Sequence, residues 1–337
     1  MRARSANRTA RGLVGTLVLL PVLAACGSDD ADLTVYSGRG ESLVGPIIEQ
    51  FEEDSELTVD VRYGNTAEMA AQILDEGSNT PADVFLAQDA GALGEVSAAG
   101  IFAPLPAELL DMVDAAYSSA DGDWVGLSGR SRTVVYNTDR LGEDDLPETI
   151  AEFTDPGWEG RIGWAPSNAS FQAFVTAMRV LEGEDTTRAW LEDMRDNGTQ
   201  VYDNNIAILD AVANGEVDAG LVNHYYLYPR LEEEPDLPAA NKFYADGDIG
   251  ALVNVAGAGI LAESENADAA TEFVEFLLSD TGQTYFAEET SEFPLVEGVA
   301  QPDGMPSLES LTPPSLDLAQ LEDLSGTLDL LQQTGVL

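Results

Sequence analysis

Between residues 33 and 86 the apolar pattern switches repeatedly between a period of two and a period near 3.6, and few folds accommodate that alternation. Residues 33–37 read as a short strand. Residues 42–53 then place Leu43, Ile47, Ile48 and Phe51 on one helical face, 57–63 alternate as a strand, 67–76 return to helical spacing, and 82–86 form an apolar strand. Strand, helix, strand, helix, strand implies a parallel sheet wrapped by helices. The rhythm recurs with strands at 161–164, 199–202 and 219–223, separated by helices at 171–181, 187–196 and 206–214. Between the two blocks, the β-branched run 124–137 is long enough to cross from one to the other, and the Gly- and Val-rich run 250–261 can bring the chain back before a helix at 267–278. A turn-rich stretch, 301–306, leads to a terminal helix near 317–333. The expected fold is α/β, with two doubly wound lobes joined by crossover strands: residues 33–131 and 250–300 form the first lobe, 132–249 and 301–337 the second. Ligands in open α/β sheets sit beyond the carboxyl ends of the strands, so the loops after Ser37, Leu86, Trp164, Tyr202 and Asn223 should face a cleft between the lobes.

The start of the chain carries Arg2, Arg4, Arg8 and Arg11 with no acidic residue, followed by an apolar run that stops at Cys26. This is a secretion signal over residues 1–25, too short and too interrupted by Pro and Gly for a membrane span. Leu23-Ala24-Ala25-Cys26 resembles the bacterial lipobox, which makes Cys26, the single cysteine, the expected site of lipidation. Residues 26–32 then read as a lipid-bearing tether, and the protein as extracytoplasmic, held to the membrane by acyl chains alone. The chain has 61 acidic residues against 15 basic ones, a formal charge of −46, and removing a leader with four arginines makes it more negative still. Such a surface excludes nucleic-acid binding by phosphate neutralisation and docking on anionic lipid.

Catalytic material is scarce. His224 is the single histidine, and there is no Cys–His pair, no His-x-x-x-His spacing and no Gly-x-Ser-x-Gly elbow. Gly38-Arg39-Gly40 lacks the third glycine of a dinucleotide loop, since Leu43 stands there, and the two Asp-Gly-Asp triplets at 121–123 and 246–248 lack a closing glutamate. The unusual run is Asn223-His224-Tyr225-Tyr226-Leu227-Tyr228-Pro229-Arg230. An aromatic run is more often core than ligand set. This one, however, follows a strand whose end should face the cleft, where two tyrosines can hold a trivalent hard cation as phenolates. Free tyrosine ionises near ~10, so phenolate at neutral pH requires the field of such a cation. Ferric iron fits, whereas softer metals prefer sulfur or imidazole.

Several segments together resemble the bacterial ferric-iron-binding receptors of ABC transporters, within the class II periplasmic binding-protein superfamily. They are Thr34-Val35-Tyr36-Ser37-Gly38-Arg39, Pro81-Ala82-Asp83-Val84-Phe85, the crossover Leu127-Ser128-Gly129-Arg130-Ser131-Arg132-Thr133-Val134-Val135-Tyr136, Trp158-Glu159-Gly160-Arg161-Ile162-Gly163, Asn214-Gly215-Glu216-Val217, and Asn223-His224-Tyr225-Tyr226. The resemblance implies that Tyr225 and Tyr226 are iron ligands. It also implies a synergistic anion, carbonate or phosphate, held at a helix amino terminus by Asn168-Ala169-Ser170 and by Asn204 and Asn223. The expected partners are a permease and its ATPase, and the receptor itself is expected to be a monomer with no enzymatic activity. The chain departs from the family where some members supply a first-lobe histidine and glutamate, since Gly40 and Gln88 stand there, with Asp89 adjacent. It departs again where others add a third tyrosine, here Phe171. Gln88 and Asp89 are therefore further ligand candidates. Arg39 and Arg130 are the candidates to face the anion, with a surface or inter-lobe ion pair as their alternative. The competing readings are a binding protein of the same fold for another small anion or a polyamine, and a secreted α/β enzyme on the same scaffold.

Overall fold

Each early strand hands the chain to a helix, and after the second and third strands a short polar residue caps the helix's first turn. The computed structural model describes residues 31–301 and 304–337. The leader, Cys26 and most of the tether lie outside the described residues, as does part of the 301–306 turn. Asp32, the last tether residue, already belongs to the fold, because its carboxylate accepts from the Thr58 N–H and hydroxyl at 2.9 and 2.8 Å.

Strand β1 (Leu33–Ser37) leads to α1 (Glu41–Ser55), β2 (Val59–Tyr63) to α2 (Thr66–Glu76), and β3 (Val84–Ala87) to α3 (Ala90–Ala98). Asn65 caps α2 and Asp89 caps α3, each through a side-chain oxygen. After a one-turn α4 (Ala107–Leu110) comes β4 (Trp124–Asn137), buried along its whole length. The second block runs β5 (Ile162–Trp164), α5 (Ala169–Glu182), α6 (Glu184–Asp196), β6 (Gln200–Val201), α7 (Asn205–Ala213), β7 (Ala219–Asn223), α8 (Leu227–Glu233) and β8 (Ala239–Lys242). The chain returns along β9 (Val253–Ile260), continues through α9 (Ala267–Leu278), α10 (Asp280–Glu288) and β10 (Phe293–Pro294), and ends in α11 (Leu324–Gln333).

The strands lie in the order β2-β1-β3-β9-β4-β7-β5-β6, with β8 and β10 also paired to β4. The sheet is mixed where a parallel one was expected. Pairs β1–β2, β1–β3, β5–β6 and β5–β7 are parallel, but β9 runs antiparallel to both β3 and β4, and β4 antiparallel to β7. A chain returning along β9 runs against β4, and lying between β3 and β4 satisfies its buried N–H and C=O groups on both sides.

Three further departures from the sequence reading have specific causes. Helix α3 is built from small residues without amphipathic spacing, because the segment 318–322 lies directly on it. A Cβ on Gly91 would stand 2.6 Å from the Leu321 carbonyl oxygen, and one on Gly94 2.8 Å from that of Ala319. The expected terminal helix is split into a 3₁₀ segment, Leu318–Glu322, and α11. Asp323 breaks it by capping the Gly326 N–H at 3.0 Å while pairing with Arg179 at 2.8 Å. Helix α10 and strand β10, absent from the expectation, are short pieces held against β4. No helix among the described residues is long and apolar enough to cross a membrane.

Candidate functional site

Strand β4 changes partners in mid-course. Ser131 is opposite Val253 of β9, and Arg132, the next residue, is opposite Asn223 at the carboxyl end of β7. The chain leaves β7 in a single 3₁₀ turn, His224–Tyr226, so that Tyr225 and Tyr226 are delivered beside the crossover. Their rings stack with centroids 4.3 Å apart, and the Tyr225 hydroxyl donates to the Tyr226 hydroxyl at 3.0 Å. Burial, and then the neighbouring Tyr225, push the Tyr226 phenol above its ordinary range, with Arg130 and the Asn205 amide pulling the other way. Tyr226 therefore keeps its proton at neutral pH unless a cation compensates the phenolate.

The basic group beside this pair is Arg132. Its Nη1 donates to the Asn223 side-chain oxygen at 3.0 Å and to the Ser170 hydroxyl at 3.3 Å, while its buried Nη2 has no hydrogen-bond partner among the described residues. Burial lowers its pKa to about 10, against the pull of Tyr226 and Tyr225, so it remains a cation at neutral pH. Ser170 belongs to the first turn of α5, whose N-cap Asn168 accepts from the Ser170 N–H at 3.0 Å and from its hydroxyl at 2.5 Å. Asn205 donates to Asn168 at 3.3 Å. Two tyrosines, one guanidinium and a helix amino terminus thus meet at the carboxyl ends of β5 and β7, a set of donors suited to an oxyanion beside a hard cation.

The remaining candidates fall differently. Asn168, Ser170 and Asn223 join this cluster, and Ala169 can contribute only its backbone N–H at the first position of α5. Asn204 does not join it: its side chain accepts from the Ala207 N–H as the N-cap of α7, and Asn205 takes the inward place. Arg39 is not brought to the tyrosines. It is 1% exposed and bonded to Glu292 at 2.7 Å and to Ser128 at 3.1 Å, a buried ion pair between two segments both assigned to the first lobe, and so neither the anion contact nor the surface or inter-lobe pair expected from the sequence. Arg130 lies between, with its Nε 3.8 Å from the other oxygen of Glu292 and its Nη2 donating to the Gln88 carbonyl. Gln88 is anchored through its backbone N–H to the Thr66 hydroxyl at 3.3 Å. The Asp89 carboxylate caps α3, and burial raises its pKa although Arg130 opposes the shift. Phe171 is core, edge-on to Trp164. Among the described residues no group of three or more His, Cys, Asp or Glu side chains is placed to hold a metal ion. Any metal here must draw on other donors.

Sequence reasoning missed Arg132, Asn205 and Glu292. For Arg132 the signal was present: it lies two residues from Arg130 in a strand, hence on the same face. Asn205 was obscured by a twin at 204, and Glu292 is one carboxylate among 61 acidic residues.

Comparison with known proteins agrees with this architecture. The family model of the bacterial extracellular solute-binding proteins matches residues 79–320. The Fe(3+)-binding periplasmic protein of Serratia marcescens is 32% identical over 342 residues, covering 100% of both chains. The crystal structure of iron-bound HitA from Pseudomonas aeruginosa superposes with a TM-score of 0.85 at 33% identity, over 90% of this chain and 99% of that one. A Trichodesmium protein (IdiA, FutA) in complex with iron and citrate superposes at 0.78 with 26% identity, over 90% and 99%. The fold is therefore that of the class II periplasmic binding proteins, α/β with two doubly wound lobes, crossover strands and a ligand cleft. The chain belongs to the family of bacterial extracellular solute-binding proteins.

Proposed function

We propose that this chain captures ferric iron outside the cytoplasm and delivers it to a membrane permease driven by an ATPase. The observation that carries the reading is the adjacent pair of phenols, 3.0 Å apart, with the free Nη2 of buried Arg132 beside them. Ferric iron bound by the phenolates of Tyr225 and Tyr226 retains one positive charge. A carbonate or phosphate on the amino terminus of α5, held by Asn168, Ala169 and Ser170 with Asn223 and Arg132, completes the shell, and Arg132 offsets the excess negative charge. Asp89 and Gln88 are the first-lobe groups nearest in chemistry to a further ligand. The lobes divide as 33–131 with 250–300 and 132–249 with 301–337. The change of β4 partners between Ser131 and Arg132 supports that division, although segment 318–322 lies on α3 before α11 packs on α5. Cleavage before Cys26 and its lipidation would tether this monomeric receptor to the membrane. The names of the relatives, which describe iron-binding and periplasmic proteins, support the iron reading.

The test is the visible spectrum. Ferric citrate added to the purified protein is expected to produce a phenolate-to-iron charge-transfer band, and a colourless complex would overturn the proposal.

The field of the iron must expel the Tyr226 proton, whose pKa is raised in the folded protein. Protons therefore compete with the metal, and apparent affinity should fall roughly tenfold per pH unit for each proton released as pH decreases from neutral. Titration with a competing chelator at pH 7.5, 6.5 and 5.5 measures this, and a flat profile after correction for the chelator's own protonation contradicts phenolate ligation.

Arg132→Ala should weaken iron binding by about 10–100-fold, the range for groups that support a metal's ligands. The loss should shrink as carbonate or phosphate is raised, because mass action replaces part of the lost attraction. Equal losses in anion-depleted and anion-rich buffer would detach Arg132 from the anion. Citrate belongs in the same series, since the Trichodesmium neighbour holds it with iron.

A further inference from the structure

His224 links the turn that carries the two tyrosines to two other segments of the chain. Its backbone begins the turn that carries Tyr225 and Tyr226, while its side chain, wholly buried and edge-on to the Tyr225 ring with centroids 5.8 Å apart, hydrogen-bonds to the crossover and to the 291–292 segment. There Nδ1 accepts from the Ser131 N–H at 3.1 Å, and Nε2 lies 3.0 Å from the Ser291 carbonyl oxygen. Both bonds are made together only by a neutral ring protonated on Nε2, which donates to Ser291 and accepts from Ser131. Ser131 is the last β4 residue paired with β9 before Arg132 pairs with β7. Ser291, held at a φ of 53°, immediately precedes Glu292, the partner of Arg39 and Arg130. A third bond fixes the turn from its other side, where the Asn241 amide donates to the His224 carbonyl at 2.8 Å. The ring also packs on Phe293 of β10, with centroids 4.5 Å apart, so it has a core-filling role from which any further role must be separated.

We infer that His224 is a positioning residue for iron capture, its ring tying the tyrosine-bearing turn to the crossover strand β4 and to the 291–292 segment so that the two phenols are held in ligating geometry. The inference rests on the proposed iron function. It distinguishes a hydrogen-bonded coupling from simple packing, because the ring satisfies one donor and one acceptor that come from separate parts of the chain.

Three substitutions separate the two roles. His224→Phe keeps a ring against Phe293 and drops both hydrogen bonds. His224→Asn can place an amide oxygen near the Nδ1 position and keep the bond from Ser131. His224→Gln can reach Ser291 with its amide N–H. After near-UV circular dichroism establishes that each variant is folded, each is loaded with ferric citrate, the band position is recorded, and iron release to excess chelator is timed. The expected result is that His224→Phe shifts the band and releases iron about tenfold or more faster than the unsubstituted protein, in line with other groups that orient metal ligands, with Asn or Gln intermediate. If His224→Phe matches the unsubstituted protein in band and release, or outperforms both amides, the ring is only core and the inference fails. Loss of fold in all three variants also assigns the ring to the core and overturns it. Absence of a band in the unsubstituted protein is a different failure, that of the iron reading itself.

Discussion

Replacing both tyrosines of the turn with phenylalanine is expected to abolish the iron-dependent colour while leaving the fold in place. Only the two hydroxyl oxygens are removed, and these bond to each other at 3.0 Å, so little packing is lost. Tyr225 and Tyr226 would then offer ferric iron only ring faces. The remaining oxygens of the cluster, on Asn168, Ser170, Asn205 and Asn223, are neutral and weak donors for a trivalent cation. Each single variant should lose more affinity than the 10–100-fold typical of an outer supporting group, since a charged ligand disappears, and its band should weaken and move. Spectral titration with ferric citrate, alongside thermal melting, separates loss of site from loss of fold. Colour that survives the double substitution would assign the metal to other residues, with Asp89 the first to examine.

The second large effect concerns stability. Glu292→Ala should destabilise the protein by about 3–5 kcal/mol, the range for breaking a buried ion pair by removing one partner. Its carboxylate is 1% exposed and lies between two buried guanidiniums, accepting from Arg39 at 2.7 Å, Ser128 at 3.1 Å and Thr290 at 2.9 Å, with Arg130 at 3.8 Å. Alanine leaves two neighbouring positive charges in the interior without a counterion. Glu292→Gln keeps the shape and should cost less while still losing the charge. Burial alone would raise the Glu292 pKa, but Arg39 and then Arg130 hold it below the ordinary carboxylate range. Its contribution is therefore complete above the unfolded-state value, near ~4.3, and is lost as pH falls through the lower folded-state value. Denaturant unfolding at pH 7 and again in acid checks both points. A Glu292→Ala variant within 1 kcal/mol of the parent at pH 7, a margin well under the expected range, would mean that water or a rearranged chain reaches the arginines.

Much of the fold was legible from the chain alone because local physics wrote it there. Strand β4 is rich in β-branched residues, and the limits of β4, β7 and α9 coincide with those of the periodic pattern. The tyrosine pair was legible too, because its placement after a strand follows from the carboxyl-end rule. Helix α3 was not, since its glycines and alanines answer to the chain segment lying on them, which is more than two hundred residues away in sequence. The direction of β9 was not legible either, because alternation marks a strand but does not state which neighbours it will find.

The arginines show the same division within the site. The resemblance to iron receptors pointed to Arg39 and Arg130 as candidates to face an anion, and by residue type either could have met one. Which guanidinium keeps its charge uncompensated by a carboxylate depends on where that carboxylate comes to rest. Glu292, beside β10, pairs with Arg39 at 2.7 Å and lies 3.8 Å from Arg130, each of which keeps a buried Nε without a partner, whereas Arg132 has no carboxylate within ion-pair distance among the described residues and keeps an uncommitted Nη2 next to the tyrosines. The sequence by itself determined the alternating α/β scaffold, the likeness to iron receptors and the tyrosine pair, because these depend on neighbours along the chain. The tertiary structure alone decided the mixed sheet, the bonds of His224 and which arginine is left without a carboxylate, because these depend on contacts between segments that only folding brings together.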